Sequence, residues 1–246
     1  MNIKKKLFTW IGTIIRRFLN FSDVKPYQSF LYNGKYIEGK VDTVRLYHNL
    51  AISQEVKGKS VLDLGCNEGS ICLSAAQDGA SKVDGVEIED YVCELARLRA
   101  KDAKVDVNYL QTDIVDYIEN SSNYDIIFLF AMMRHIHKKF MIENGFDIST
   151  NNGRAYLVYN SYQTLILGKD NPVKDQFDNF MKKCISKSNS HFVCSINDHS
   201  GLIVRRKEET KKYFYSLSDR IQSIEIYNFS PENPEYTVID LRLNAR

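Results

Sequence analysis

Val61-Leu-Asp-Leu-Gly-Cys-Asn-Glu-Gly69 is the stretch on which the reading of this chain turns. Residues 60–64 form a short apolar strand with Asp63 near its end. A glycine turn follows, and a helical pattern runs over 70–78. A chain that passes from strand to helix through small residues lets a ligand approach its backbone. It also presents free N–H groups at the helix N-terminus to the ligand's polar end. The glycines stand at G-x-x-x-G spacing, which differs from the G-x-G-x-x-G of pyrophosphate cofactors.

Outward from this stretch, the same alternation repeats. Residues 82–88 read as a second strand and 91–101 as a second helix. Residues 105–111 read as a third strand, 114–119 as a short helix and 124–130 as a fully apolar fourth strand. Residues 154–160 are expected as a fifth strand, after the turn Asn151-Asn-Gly153. Strands alternating with helices predict a parallel sheet covered on both faces. Upstream, 22–40 holds turn signals (Pro26, Asn33-Gly34, Gly39) and 41–56 a short helix. Downstream, 172–186 and 208–218 look helical, and 191–196 with 202–206 is expected as a hairpin. Residues 221–229 and 236–243 alternate as an antiparallel hairpin closing the sheet, which leaves 161–206 as an insertion. The expected fold is therefore α/β and doubly wound, with a mostly parallel seven-stranded sheet and an antiparallel last strand. Its parts are a helix over 1–21, an N-terminal cap over 22–56 and the main domain over 57–246.

Composition narrows the class. The 246 residues are 43% hydrophobic, 12% aromatic and 26% charged, which excludes an integral membrane protein and argues against disorder. The longest apolar run, 126–133, falls far short of the roughly 20 residues of a spanning helix. Five cysteines form no C-x-x-C pair, which suits a reducing cytosol better than a disulfide framework or a zinc site.

The net charge of +2 is unevenly placed. Residues 1–25 hold six bases against one acid, for +5, and the rest is −3. Residues 1–21 form an amphipathic pattern with Ile3, Leu7, Ile11, Ile14, Phe18 and Phe21 on one face. Three readings are open: a helix packed on its own domain, an interfacial membrane helix, or a nucleic-acid arm. Arg16 and Arg17, and the lack of a small-residue cleavage site, argue against a signal peptide.

The central stretch resembles motif I of class I S-adenosylmethionine methyltransferases, commonly D/E-x-G-x-G-x-G. Asp63, Gly65 and Gly69 match, while Asn67 stands where a glycine is usual and tolerates positive φ better than most residues. The resemblance covers about 55–160 and implies S-adenosylmethionine as cofactor. It implies that Glu87 accepts hydrogen bonds from the ribose diol and that Ile88 contacts the adenine. Asp113 would recognise the adenine amino group, with Ile114 beside it, and Phe130 would lie at the exit of the fourth strand. A narrower resemblance, through Pro26-Tyr-Gln-Ser-Phe30, Arg45 and Arg134-His-Ile136, is to the methyltransferase domain of bacterial O-antigen chain terminators. It implies that Tyr27, Gln28 and Arg45 close over the cofactor, with Arg45 pairing to its carboxylate. Those enzymes also carry a fused kinase domain, for which this length leaves no room.

Arg134, His135, His137, Lys138 and Lys139 crowd the loop after the fourth strand, at the working edge of an open α/β sheet. His135 is the candidate base for a hydroxyl acceptor, with a loop-capping role as the competing reading. Arg134, His137 and, in the insertion, His199 are candidate acceptor contacts. His135-x-His137 has no acidic or cysteine partner close in sequence, so no metal is expected. The expected activity is O-methylation of a small-molecule, glycan or lipid-linked acceptor. The expected location is cytoplasmic, with 1–21 touching the inner face of the membrane. RNA methylation is the rival enzyme reading, opposed by the acidic body and the missing Asn-Pro-Pro-Tyr. A cofactor-binding interaction module is the non-enzyme rival, opposed by the intact set Asp63, Glu87 and Asp113.

Overall fold

The structure is a computed structural model that describes residues 26–32, 34–145, 172–197, 206–228 and 236–244. The expected helix over 1–21, the expected strand over 154–160 and His199 lie outside them.

Phe30–Tyr32 (β1) and Lys35–Ile37 (β2) form a small antiparallel hairpin where the sequence shows only turn signals. Gly34, at φ +73°, supplies the left-handed backbone such a tight turn needs. Thr43–Asn49 (α1) follows, and the Asp42 carboxylate accepts the Arg45 N–H at its N-terminus.

From there the chain alternates. Ser60–Leu64 (β3), Ser70–Gln77 (α2), Lys82–Glu87 (β4) and Asp90–Ala103 (α3) lead to Asn108–Gln111 (β5). Ile114–Asn120 (α4), Tyr124–Leu129 (β6) and Met133–Glu143 (α5) come next. The remaining elements are Lys174–Lys187 (α6), Ser188–Asn197 (β7), Lys207–Tyr215 (α7), Ile221–Asn228 (β8) and Tyr236–Leu243 (β9). Seven strands form one sheet in the order β5-β4-β3-β6-β7-β9-β8. The β4–β5, β3–β6 and β6–β7 ladders are parallel, and β9 runs antiparallel to both β7 and β8. The doubly wound sheet with its antiparallel last strand is the expected one. Val61, Leu62 and Leu64 of β3 and Ile126 to Leu129 of β6 are 0% exposed, as central strands covered on both faces require.

Two expectations are corrected. The third strand begins at Asn108, because 104–105 end the preceding helix. Lys104 turns left-handed at φ +54°, and the Val105 N–H donates to the Ala100 carbonyl. The other correction concerns 188–197. Instead of belonging to an inserted segment, β7 pairs with β6 on one side and β9 on the other. Its polar composition disguises a central strand, since Ser188, His191 and Ser195 are buried with Phe192, Val193 and Cys194.

The chain groups into two compact units. One joins the described residues up to Lys59 to Cys66–Asp113, and the other joins Ser60–Gly65 to the described residues from Ile114 onward.

Candidate active site

In the first unit, the loop after β3 is built around left-handed backbone. Asn67 has φ +52° and Gly69 φ +84°, so asparagine takes the conformation that a glycine would otherwise supply. This bend aims the Asn67 N–H at Glu87 Oε2, 3.0 Å away, while the Glu89 N–H donates to Oε1 at 2.9 Å. The Glu87 carboxylate is thus fixed at the end of β4 by two backbone donors, and each oxygen retains acceptor capacity. Beside this buried acid, Ile88 is 57% exposed. Asp113 lies just beyond β5, and the preceding Thr112 N–H donates to the Glu87 carbonyl at 3.2 Å.

The glycines serve the chain's own packing as well as its bends. A Cβ on Gly69 would fall 2.3 Å from the Tyr109 hydroxyl, and one on Gly85 would fall 2.8 Å from the Tyr109 ring. Buried Tyr109 therefore supports the loop, a role with no signal in the sequence. Gly69→Ala is expected to cost about 1–2 kcal/mol for its left-handed backbone and about 1–3 kcal/mol for overpacking against Tyr109. Urea unfolding should show a lower midpoint at unchanged slope.

Tyr27, Gln28 and Arg45 also belong to this unit. Gln28 Oε1 accepts the Ser70 N–H at 3.1 Å, so this side chain caps α2. Tyr27 is 47% exposed and Arg45 projects from exposed α1 surface. Sequence reasoning missed Glu68 and Arg99. They form a buried ion pair at 2.8 Å, and Glu68 Oε2 also accepts the Tyr27 N–H at 2.9 Å. The signal was present: Arg99 falls on the α3 stripe of Val92, Cys93, Ala96 and Ala100, where an apolar residue is normal.

In the second unit, Asp63 is buried in β3 opposite Phe128 of β6. Gly65, at φ +79°, would drive a Cβ to 2.6 Å from the Met132 sulfur, so Met132 packs against the start of the loop. Phe130 stacks on Phe128 with centroids 5.5 Å apart. Ala131 takes φ +56°, a conformation costing about 1–3 kcal/mol in a non-glycine residue, and its N–H donates to Ser195 Oγ at 2.8 Å. Ile114 is buried at the start of α4.

On α5, Arg134, His135 and Lys138 are exposed, while His137 joins Met133, Ile136, Phe140 and Met141 on the core face. His137 is 1% exposed, which corrects its expected role as an acceptor contact. The i, i+2 spacing turns the two histidines apart, because only residues three and four apart share a helix face. Partial burial, then the charges of Arg134 and Lys138, push the His135 pKa below its ordinary value of 6.5. His135 is therefore largely neutral near pH 7. Cysteine chemistry has no comparable support: burial raises the Cys93 thiol to about 11 and pushes Cys184 and Cys194 up as well.

These residues fit S-adenosylmethionine. A carboxylate fixed by backbone donors with acceptor sites to spare suits a ribose diol, and the exposed Ile88 offers an apolar face to a purine. The methyltransferase domain family matches residues 61–150. A ubiquinone biosynthesis O-methyltransferase of Vibrio campbellii is 31% identical over 122 residues, covering 47% of this chain and 52% of that protein. The chain thus spans about half the length of the curated relatives it matches. Among solved structures, magnesium protoporphyrin IX methyltransferase from Synechocystis PCC 6803, with S-adenosylmethionine bound, superposes with a TM-score of 0.53. It is 14% identical, with 81% of this chain and 76% of that one covered. The bifunctional kinase-methyltransferase WbdD superposes at 0.52 with 15% identity, covering 91% of this chain and 45% of its own. Residues 61–150 thus match a methyltransferase domain, on a fold shared with solved S-adenosylmethionine-dependent methyltransferases.

Proposed function

We propose that this chain transfers a methyl group from S-adenosylmethionine to an oxygen of a small-molecule, glycan or lipid-linked acceptor. The observation that carries the reading is the Glu87 carboxylate, fixed by the Asn67 and Glu89 N–H groups beside exposed Ile88. The cofactor, when bound, supplies a methyl group made electrophilic by its sulfonium. Glu87 would hold the ribose hydroxyls, Ile88 and Asp113 the adenine, and Arg45 the carboxylate. Gln28 would act by keeping the first turn of α2 in place, with Tyr27 beside it.

A methyl leaves a sulfonium by in-line displacement, so the protein's main work is to align the acceptor. For a hydroxyl acceptor, His135 takes the proton at an imidazole nitrogen, and its lowered pKa keeps that nitrogen available near neutrality. Arg134 would orient the acceptor beside it. An O-methyltransferase among the relatives supports oxygen as the methylated atom. The test is incubation of the full chain with labelled S-adenosylmethionine and fractionated host extract. Label in the lipid, glycan or small-molecule fraction is expected, and label confined to RNA or protein would overturn the acceptor class.

We assign residues 1–21 to an anionic membrane surface, where such acceptors are presented. Their sequence pattern groups Phe18 and Phe21 with the apolar residues, and each base near an anionic leaflet contributes about 1 kcal/mol. Flotation with anionic liposomes should carry the full chain upward at low salt and less so at high salt. A chain lacking 1–21 should stay below. Full-length protein that remains at the bottom at low salt would end the assignment. No helix among the described residues is long and apolar enough to cross a membrane.

A further inference from the structure

Glu68 sits inside the motif I loop, but its side chain turns toward the N-terminal segment. One carboxylate oxygen accepts the Tyr27 N–H at 2.9 Å and the Gln28 N–H at 3.4 Å, and it also meets Arg99 Nη1 at 2.8 Å. Arg99 is only 5% exposed and lies with its guanidinium 4.2 Å over the Phe30 ring. The Glu68 N–H in turn donates to Asn67 Oδ1 at 2.7 Å, and the Asn67 N–H donates to Glu87 at 3.0 Å. A continuous hydrogen-bonded chain therefore runs from Tyr27 through Glu68 and Asn67 to Glu87.

Stability alone is a poor reason for such a pair. Two well-packed apolar residues commonly hold a fold as well as a buried ion pair does. What an apolar pair cannot do is accept the Tyr27 and Gln28 N–H groups. We infer that Glu68, with its charge balanced by Arg99, is a positioning residue that locks residues 27–28 to the loop that presents Asn67 to Glu87. Ordering of the loop by the cofactor and ordering of the 27–28 segment are thereby coupled. This inference rests on the cofactor reading above and deepens it.

The test compares the wild-type chain with Glu68→Leu, Arg99→Met and the double variant, with S-adenosylhomocysteine as the probe. In the wild type, the probe should slow hydrogen exchange at the Tyr27 and Gln28 amides by about tenfold or more. Each single variant strands a buried polar group and should melt early. The double variant strands no charge and should recover part of the lost melting temperature. Its affinity for the probe should nevertheless stay about tenfold or more below wild type, because the acceptor for the two N–H groups is gone. Its Tyr27 and Gln28 amides should exchange fast whether or not the probe is present.

Recovery of affinity together with stability in the double variant would make the pair merely structural and overturn the inference. So would wild-type amides whose exchange does not respond to a probe that binds, a result that requires no variant to fold. Failure of the wild-type chain to bind the probe would instead overturn the cofactor reading, and the inference with it.

Discussion

His135→Ala is expected to lower turnover about 10²- to 10⁴-fold while leaving cofactor affinity in place. The expectation follows from position and protonation state together. His135 is exposed on the first turn of α5, just past the carboxyl end of β6, and its pKa lies below 6.5. A general base works in its unprotonated form, so the rate should rise with pH through that pKa and then level off. Because the pKa is lowered, the acid limb should fall below pH 6.5. Removing a neighbouring positive charge by Arg134→Gln relieves part of the depression, so the limb should move to higher pH. Label transfer to the acceptor fraction, measured from pH 5 to 8, reads both effects. An acid limb that survives in His135→Ala would assign the base to another group, with His199 the next candidate.

Glu87→Ala should weaken S-adenosylhomocysteine binding about tenfold or more, since each hydrogen bond to a charged carboxylate contributes about 1.5–3 kcal/mol. Two losses add at this position. The ribose hydroxyls lose their acceptor, and the Asn67 and Glu89 N–H groups lose the atoms that orient them. Glu87→Gln separates the two losses. An amide keeps one acceptor oxygen, so affinity should fall between alanine and wild type. Titration calorimetry measures the affinities, and circular dichroism establishes that the variants are folded. Wild-type affinity in folded Glu87→Ala would remove this residue from the cofactor site.

What the sequence determined by itself is the local part of this protein. Asp63, Gly65, Gly69 and Glu87 were legible because strand, turn and helix follow one another within a few residues, and their spacing is set by backbone geometry. The bend at Asn67 was legible for the same reason, since asparagine tolerates φ +52°. The apolar run of β6 announced a strand buried on both faces.

Tertiary structure decided whatever depends on partners far along the chain. Ser188–Asn197 became a central strand because β6 and β9 flank it, and neither neighbour is visible in its own mixed composition. His135 and His137 were both placed at the working edge, but the 3.6-residue turn exposes the first and buries the second. Gly65 and Gly69 read as space for a ligand, whereas Met132 and Tyr109 fill part of that space. Glu68 and Arg99 stand 31 residues apart, and the apolar stripe around Arg99 does not name its partner. Only folding removes both from water, and in that setting an ion pair to Arg99 and an N–H from Tyr27 make Glu68 a tie between distant segments.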